Sequence, residues 1–385
     1  MALTFNGVIP QTRGLSNNSW GLFGSPSKKP SQTRFPTWVV SRPKTKPRFS
    51  HGTSSVSSSA AKTDSTLSDV EYREAQDHNN GFTPTSTSTT AWSEFARNVS
   101  GEWDGFGADF SKAGNPIELP EYVVPEAYRE WEVKVFDWQT QCPTLAQPEE
   151  PVLMYKLIKL LPTVGCEADA ATWYSIDERT VGGLDNRVSA FAYQSSGCYV
   201  AVWPMEEKGP LKLLELEHCL INPQDRESRM RIVQVVRLEN EKIVLQGIRV
   251  FVEQWYGPFR NGDQLGGCSI RDSAFASTAA LKASDVFGVW EGLNSVASFD
   301  GSQDFLQQLQ NGTIVKSVRD ERDIVLLPKQ LWCSVKECED GETRCEAGWL
   351  LSHSHAITSK CTFSGKATLK EVSIASESAV LESTV

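Results

Sequence analysis

The stretch GEWDGFG, Gly101 to Gly107, is written again as GVWEGLN from Gly288 to Asn294. Each copy comes after a segment able to form a short helix, TAWSEFARNVS before the first and LKASDVF before the second. In each, a Gly stands two residues before the Trp, and an acidic residue and a second Gly come after it: Asp104 and Gly105, then Glu291 and Gly292. Self-similarity of this kind describes architecture before chemistry, and it predicts two modules of like construction.

Outward from both copies the chain fills with Val, Ile, Trp, Tyr and Phe in short runs divided by Gly, Pro, Asn and Asp. Several runs alternate with the period of two that marks a half-buried strand. In EWEVKVFDW, Trp131, Val133 and Val135 fall on one face. In IVLQGIRVFVEQW, Val244, Ile248, Val250 and Val252 share a face opposite Leu245, Arg249, Phe251 and Trp255. Helices are expected only near Trp92 to Val99 and in SAFASTAALKASDVF. The predicted class is all-β, two antiparallel modules in tandem, the first over 91–256 and the second over 284–373. Residues 257–283 are expected to form a connecting loop and helix, and 374–385 a disordered tail.

Nine Lys and Arg precede the first acidic residue, Asp64, in a Ser-rich opening that begins Met-Ala. That composition is expected of a chloroplast transit peptide over 1–63, with a polar disordered linker over 64–90 after it. The formal net charge of the whole chain is −10, and the chain beyond the basic opening is more acidic still. An acidic body without a basic stripe argues against sequence-independent nucleic-acid binding, which relies on cations that displace phosphate counterions. The most apolar run, VLMYKLIKLL, is interrupted by two lysines, so no transmembrane segment is expected.

The nine cysteines form no C-x-x-C pair. In CEDGETRC, a turn centred on Gly341 and Glu342 would set Cys338 opposite Cys345 as a redox pair, whereas a turn centred on Asp340 and Gly341 would set Cys338 opposite Thr343. His353 and His355 lack a third ligand, so no metal set is expected. Neither a G-x-S-x-G nor a P-loop occurs, and no catalytic residues are assigned. Glu215 and Glu217, alternating on LKLLELEHC, read as a solvated strand face.

A helical turn, then Gly-x-Trp, then a meander of strands resembles the lipocalin or calycin superfamily. The arrangement over residues 90–372 is similar to an uncharacterised cyanobacterial and plant-plastid family of lipocalin-like proteins, distantly similar to bilin chromophore lyases. The resemblance implies that Trp103 and Trp290 close barrel floors, with Arg249 stacked on Trp103. Trp131 and Trp255 are expected to line the first barrel. In the second module only Lys366 and Lys370 stand where a stacking cation is expected, which departs from the family's pattern. A barrel of this class holds a small apolar ligand, and in the chloroplast stroma a tetrapyrrole, a carotenoid or a lipid would be its cargo; the cofactor itself is unknown. The alternatives are an assembly factor acting on thylakoid complexes of photosynthesis and, third, a lyase-like or isomerase-type enzyme.

Overall fold

A computed structural model describes residues 90–164, 172–205, 212–263, 274–300 and 304–380. The expected transit peptide, most of the linker, Cys166, Cys268 and the last five residues lie outside the described residues. The chain opens on helix α1 (Ala91–Val99), whose N-cap Thr90 accepts the Ser93 amide through its hydroxyl. Capping by a Thr side chain satisfies one of the orphan amides of the first turn. Then come β1 (Glu102–Ser111), the short helix α2 (Glu126–Glu130), β2 (Asp137–Gln141), β3 (Thr144–Ala146), β4 (Leu153–Leu160) and β5 (Trp173–Val181). Next is a meander: β6 (Ala190–Tyr193), β7 (Tyr199–Pro204), β8 (Lys212–Ile221), β9 (Ser228–Glu239) and β10 (Lys242–Gly257). The second module holds β11 (Gly288–Ser298), β12 (Leu306–Gln308), β13 (Gln310–Arg319), β14 (Ile324–Leu327), β15 (Leu331–Glu337), β16 (Thr343–Ser352), β17 (His355–Phe363) and β18 (Leu369–Ala379).

Among the described residues these strands form two sheets. The first runs β12-β6-β7-β8-β9-β10-β1-β2-β4-β3, with β5 on the other side of β4. The second runs β13-β11-β18-β17-β16-β15-β14. In both, the Gly-x-Trp strand meets the last strand of its meander: β1 pairs with β10, and β11 with β18. The all-β, two-module reading therefore holds, and both sheets curl in the manner of barrel walls.

Curling is visible in which side chains touch. Tyr155 of β4 bonds Glu217 of β8, although five strand steps separate them in the sheet. Arg319 of β13 bonds Glu346 of β16 in the second sheet, again across non-neighbouring strands. Such contacts require a concave face. Because side chains alternate along a strand, the residues between them point outward. These outward residues supply the main apolar core: Leu216, Ile232, Val236, Ile248 and Val250 of the first sheet are clustered with Cys333, Cys345, Ala347, Ile357, Cys361 and Ile374 of the second. The two sheets thus pack convex face to convex face, with His218 Nδ1 2.8 Å from Ser359 Oγ and Gln234 Nε2 donating to Ser334 O at 3.0 Å between them.

Several expectations change. Residues 131–136 are not a strand: β2 begins at Asp137, and Trp131 ends α2 with Glu132 at φ 54°. The Ala/Ser segment forms two single-turn 3-10 helices, Phe275–Ser277 and Ala283–Asp285, in place of one continuous helix. Strand β18 runs past residue 373 to Ala379, since Ile374 to Ala379 are needed to pair the full length of β11. The second module also lends β12 to the first sheet, parallel to β6.

Candidate functional site

The twice-written motif builds the same local arrangement twice. Trp103 and Trp290 are 0% and 2% exposed, and each indole N–H donates to the carbonyl four residues earlier, Val99 at 2.9 Å and Val286 at 2.8 Å. Gly101 and Gly288 hold φ of +146° and +129°, a region closed to side-chain-bearing residues. Gly105 and Gly292 serve close approach: a Cβ there would lie 1.9 Å from Val252 O and 2.2 Å from Ser376 O. Trp255 stands opposite Trp103 and donates its indole N–H to Ser100 O at 3.2 Å, so it locks the entrance of β1.

Each buried indole carries a guanidinium. Arg229 lies 4.2 Å from the Trp103 ring centre, and Arg319 lies 5.6 Å from Trp290 and 5.2 Å from Trp332. Each arginine is tied to a glutamate on the last strand, directly opposite the second Gly of the motif. Arg229 Nε is 2.7 Å from Glu253, the partner of Gly105, and Arg319 Nη2 is 2.6 Å from Glu377, the partner of Gly292. Arg249, the expected partner of Trp103, is displaced from that role: it faces the concave side further along β10, 2.9 Å from Glu215 and 3.6 Å from Asp109. Trp131 lines no barrel and is 61% exposed.

Polar groups fill the first concave face. Arg231 bridges Glu253 at 2.8 Å and Glu217 at 3.0 Å, and Glu217 also accepts from Tyr155, from Tyr199 at 2.9 Å and from the Trp203 indole at 2.9 Å. Glu215 and Glu217 are therefore buried rather than solvated. Burial alone would raise the Glu217 pKa, but Arg231 and Arg179 outweigh it and hold the carboxyl down at about 2. A charge left in this interior would be costly, and pairing removes most of that cost.

The second concave face holds a cavity of about 640 Å³. Arg319 and Glu346 line its inner end, with Glu346 accepting from Arg319 at 2.7 Å and from the buried Trp332 indole at 3.0 Å. Gly348 faces Trp332 across the ladder, where a Cβ would lie 2.1 Å from the ring. Burial opposes ionisation of Glu346, yet Arg319 and Lys360 bring its pKa to about 2. The walls also carry Lys336, Arg344, Lys360 and Lys370, with Lys360 3.1 Å from Glu346 and Lys370 2.6 Å from Glu342. The lining is polar, so this space suits a charged or hydrogen-bonding group more than a hydrocarbon.

The hairpin after β15 decides the cysteine question. Gly341 N donates to Cys338 O at 3.0 Å and Cys338 N to Glu342 O at 2.7 Å, with Gly341 at φ +78°. This is a tight turn closed by a glycine bulge, so Cys338 meets Glu342 and neither expected register forms. Cys345 instead faces Val335 and Cys361 in the sealed convex face. The redox pair Cys338 and Cys345 is thereby replaced by free thiols. Among the described residues no group of three or more His, Cys, Asp or Glu is placed to hold a metal ion. No helix there is long and apolar enough to cross a membrane.

No family model and no curated protein matches the chain. The structure is similar to that of a protein of unknown function of the DUF3598 family from Nostoc punctiforme, with a TM-score of 0.46 and 13% identity over 76% of this chain and 99% of that one. A weaker likeness is to transferrin binding protein B from Haemophilus parasuis, with a TM-score of 0.13 and 6% identity over 73% of this chain and 77% of that one.

Proposed function

We propose that this chain is a binding protein of the plastid stroma, and that the cavity of the second sheet takes the polar end of a small amphipathic ligand. The observation that carries this reading is the cavity itself: about 640 Å³, within the ordinary size of small-molecule sites, with six Lys and Arg in a mixed-charge lining that also holds six Asp and Glu. Of the cargoes that the sequence suggests, a carotenoid has no ionisable group to meet those walls. A tetrapyrrole with its carboxylates, or a lipid with an acidic headgroup, has. The plastid address is supported by the basic, acid-free opening of the chain.

The test is equilibrium titration of the purified chain with oleate and, separately, with biliverdin, beside native mass spectrometry of the protein isolated from its own source. Saturable binding that Lys336→Glu weakens tenfold or more is expected. Binding unaffected by Lys336→Glu and by Lys360→Met would place the ligand elsewhere and overturn the assignment.

A further inference from the structure

A second surface, carried by the first sheet rather than the sheet that holds the cavity, is built from aromatic side chains that the core does not use. Tyr122 is 78% exposed, Trp131 61%, Trp173 58% and Tyr174 41%. They are mounted rigidly. Tyr174 stacks on the buried Trp138 at 4.8 Å and shares a hydroxyl contact of 3.1 Å with Tyr122. Trp131 meets Tyr128 edge to face at 6.1 Å, and Tyr128 in turn packs on the small cluster of Leu119, Val123, Val124 and Trp138. Exposed indoles and phenols held in place present large contact area at little entropic cost, which is what binding surfaces use.

Charge selects the occupant. The segment bearing this platform exposes Glu118, Glu121, Glu126, Glu130 and Glu132 against only Arg129 and Lys134, and those two are engaged by Glu121 and Glu118 at 3.8 and 3.7 Å. A surface of aromatic faces rimmed by an excess of carboxylates attracts arginine and lysine twice, through cation–π contact and through ion pairing. It repels anionic lipid headgroups. The adjoining strand β5 pairs only with β4 among the described residues. Its residues from Trp173 to Glu178 are exposed, Ser175 alone being half-buried. Such an edge is a template for an added strand.

We propose that this platform and the β5 edge form a docking site for a basic, extended segment of a partner protein, one in which Arg or Lys alternates with apolar residues. The segment adds to β5 as a strand, sets its cations on Trp131, Tyr122 and the glutamates, and turns its apolar residues onto Trp173 and Ile176.

The experiment uses the whole chain and three probes: a fluorescein-labelled peptide of alternating Arg and Leu, the same peptide with Glu for Arg, and phosphatidylcholine vesicles. Binding is read by fluorescence anisotropy at 150 mM salt, in roughly the range where exposed charge pairs are well screened. The Arg-Leu peptide is expected to bind at least tenfold more tightly than the Glu-Leu peptide. The double variant W131A/Y122A should cost a further tenfold, and E121K/E130K should reverse the preference. All four substituted residues are exposed, so thermal unfolding should stay within a few degrees of the parent, which checks that the fold is intact. Equal affinity for both peptides, or an Arg-Leu affinity untouched by W131A/Y122A, overturns the proposal. Preferential binding to the vesicles does the same and assigns the platform to a lipid surface. None of these outcomes bears on the cavity.

Discussion

The guanidinium of Arg229 lies 4.2 Å from the ring centre of Trp103, and it arrives there from β9, the penultimate strand of its meander. In the second module the matching contact comes from Arg319 on β13, which pairs with the Trp strand on the side away from β18. The same indole-guanidinium-glutamate stack is thus assembled from opposite sides of the motif strand. What repeats is the chemistry of the floor rather than the position of its cation.

That stack makes both indoles costly to remove. Trp103→Ala and Trp290→Ala should each lower the unfolding free energy by about 3–5 kcal/mol, the usual loss for a large buried aromatic. Urea denaturation measures it, and a loss below about 0.5 kcal/mol at either site would remove that residue from the floor.

Gly105→Ala and Gly292→Ala test the close approach of strands. A methyl group would meet the carbonyls of Val252 and Ser376 inside any contact distance, so β1 must part from β10 and β11 from β18. A cost of roughly 2 kcal/mol or more is expected at both, with the chemical midpoint as the readout.

Buried and exposed ion pairs should separate cleanly. Glu253→Ala strands Arg229 in a dry interior and leaves Arg231 with Glu217 alone, and should cost about 3–5 kcal/mol. Glu291→Ala removes the partner of Lys316, 3.3 Å away with both side chains exposed, and should change stability by less than about 1 kcal/mol.

His218 gives the fold an acid limb. Burial holds its pKa down at about 4, against an ordinary value near 6.5. The unfolded chain therefore binds a proton between those values that the folded chain refuses, so this residue contributes stability above about pH 6.5 that is lost as pH falls toward 4. The amount is on the order of 3 kcal/mol. Asp104 and Asp137 act in the opposite sense: burial raises both to about 6, so their ionised forms are disfavoured in the fold and stability from them falls as pH rises from about 4 to 6. Replacing His218 by Gln should flatten the loss between pH 6.5 and 4, measured as the difference in urea midpoint.

Thiol chemistry offers a check on the sheet packing. Of the described cysteines Cys338 alone is partly exposed, while burial pushes Cys333 and Cys361 up to about 12. Brief alkylation of the native protein, with peptide mapping afterwards, should label Cys338 and leave Cys333, Cys345 and Cys361 unmodified until the chain is unfolded. Early labelling of Cys345 would contradict the sealed convex face.

How much of the molecule is legible in its sequence depends on which force decides each element. The strands of the two meanders and helix α1 are readable because an alternating or helical apolar pattern matches their burial. EWEVKV alternates too, but it ends a helix, because Glu132 takes a left-handed backbone that no periodicity reveals. Glu215 and Glu217 mislead for a deeper reason. Alternation tells that two faces differ, yet here the charged face is the buried one, sealed by Arg249 of β10 and by Arg179 of β5 from the far side of the curl. Arg319 and Glu346 escape a sequence reading likewise, since pairing across a curled sheet leaves no mark on local sequence. Trp103 and Trp290 are legible as a matched pair because their motif is written twice.

Strand β12 ties the two halves together in a further way. It belongs by sequence to the second half of the chain, yet its Leu306, Gln307 and Gln308 complete the ladder beside Phe191, Ala192 and Tyr193. During synthesis the first sheet must wait, with that edge bare, until residue 308 has left the ribosome, and by then β11 of the second sheet has emerged as well. The two halves are thus coupled in time as well as in space, and a protein cut at the obvious boundary would lose part of the half that was kept.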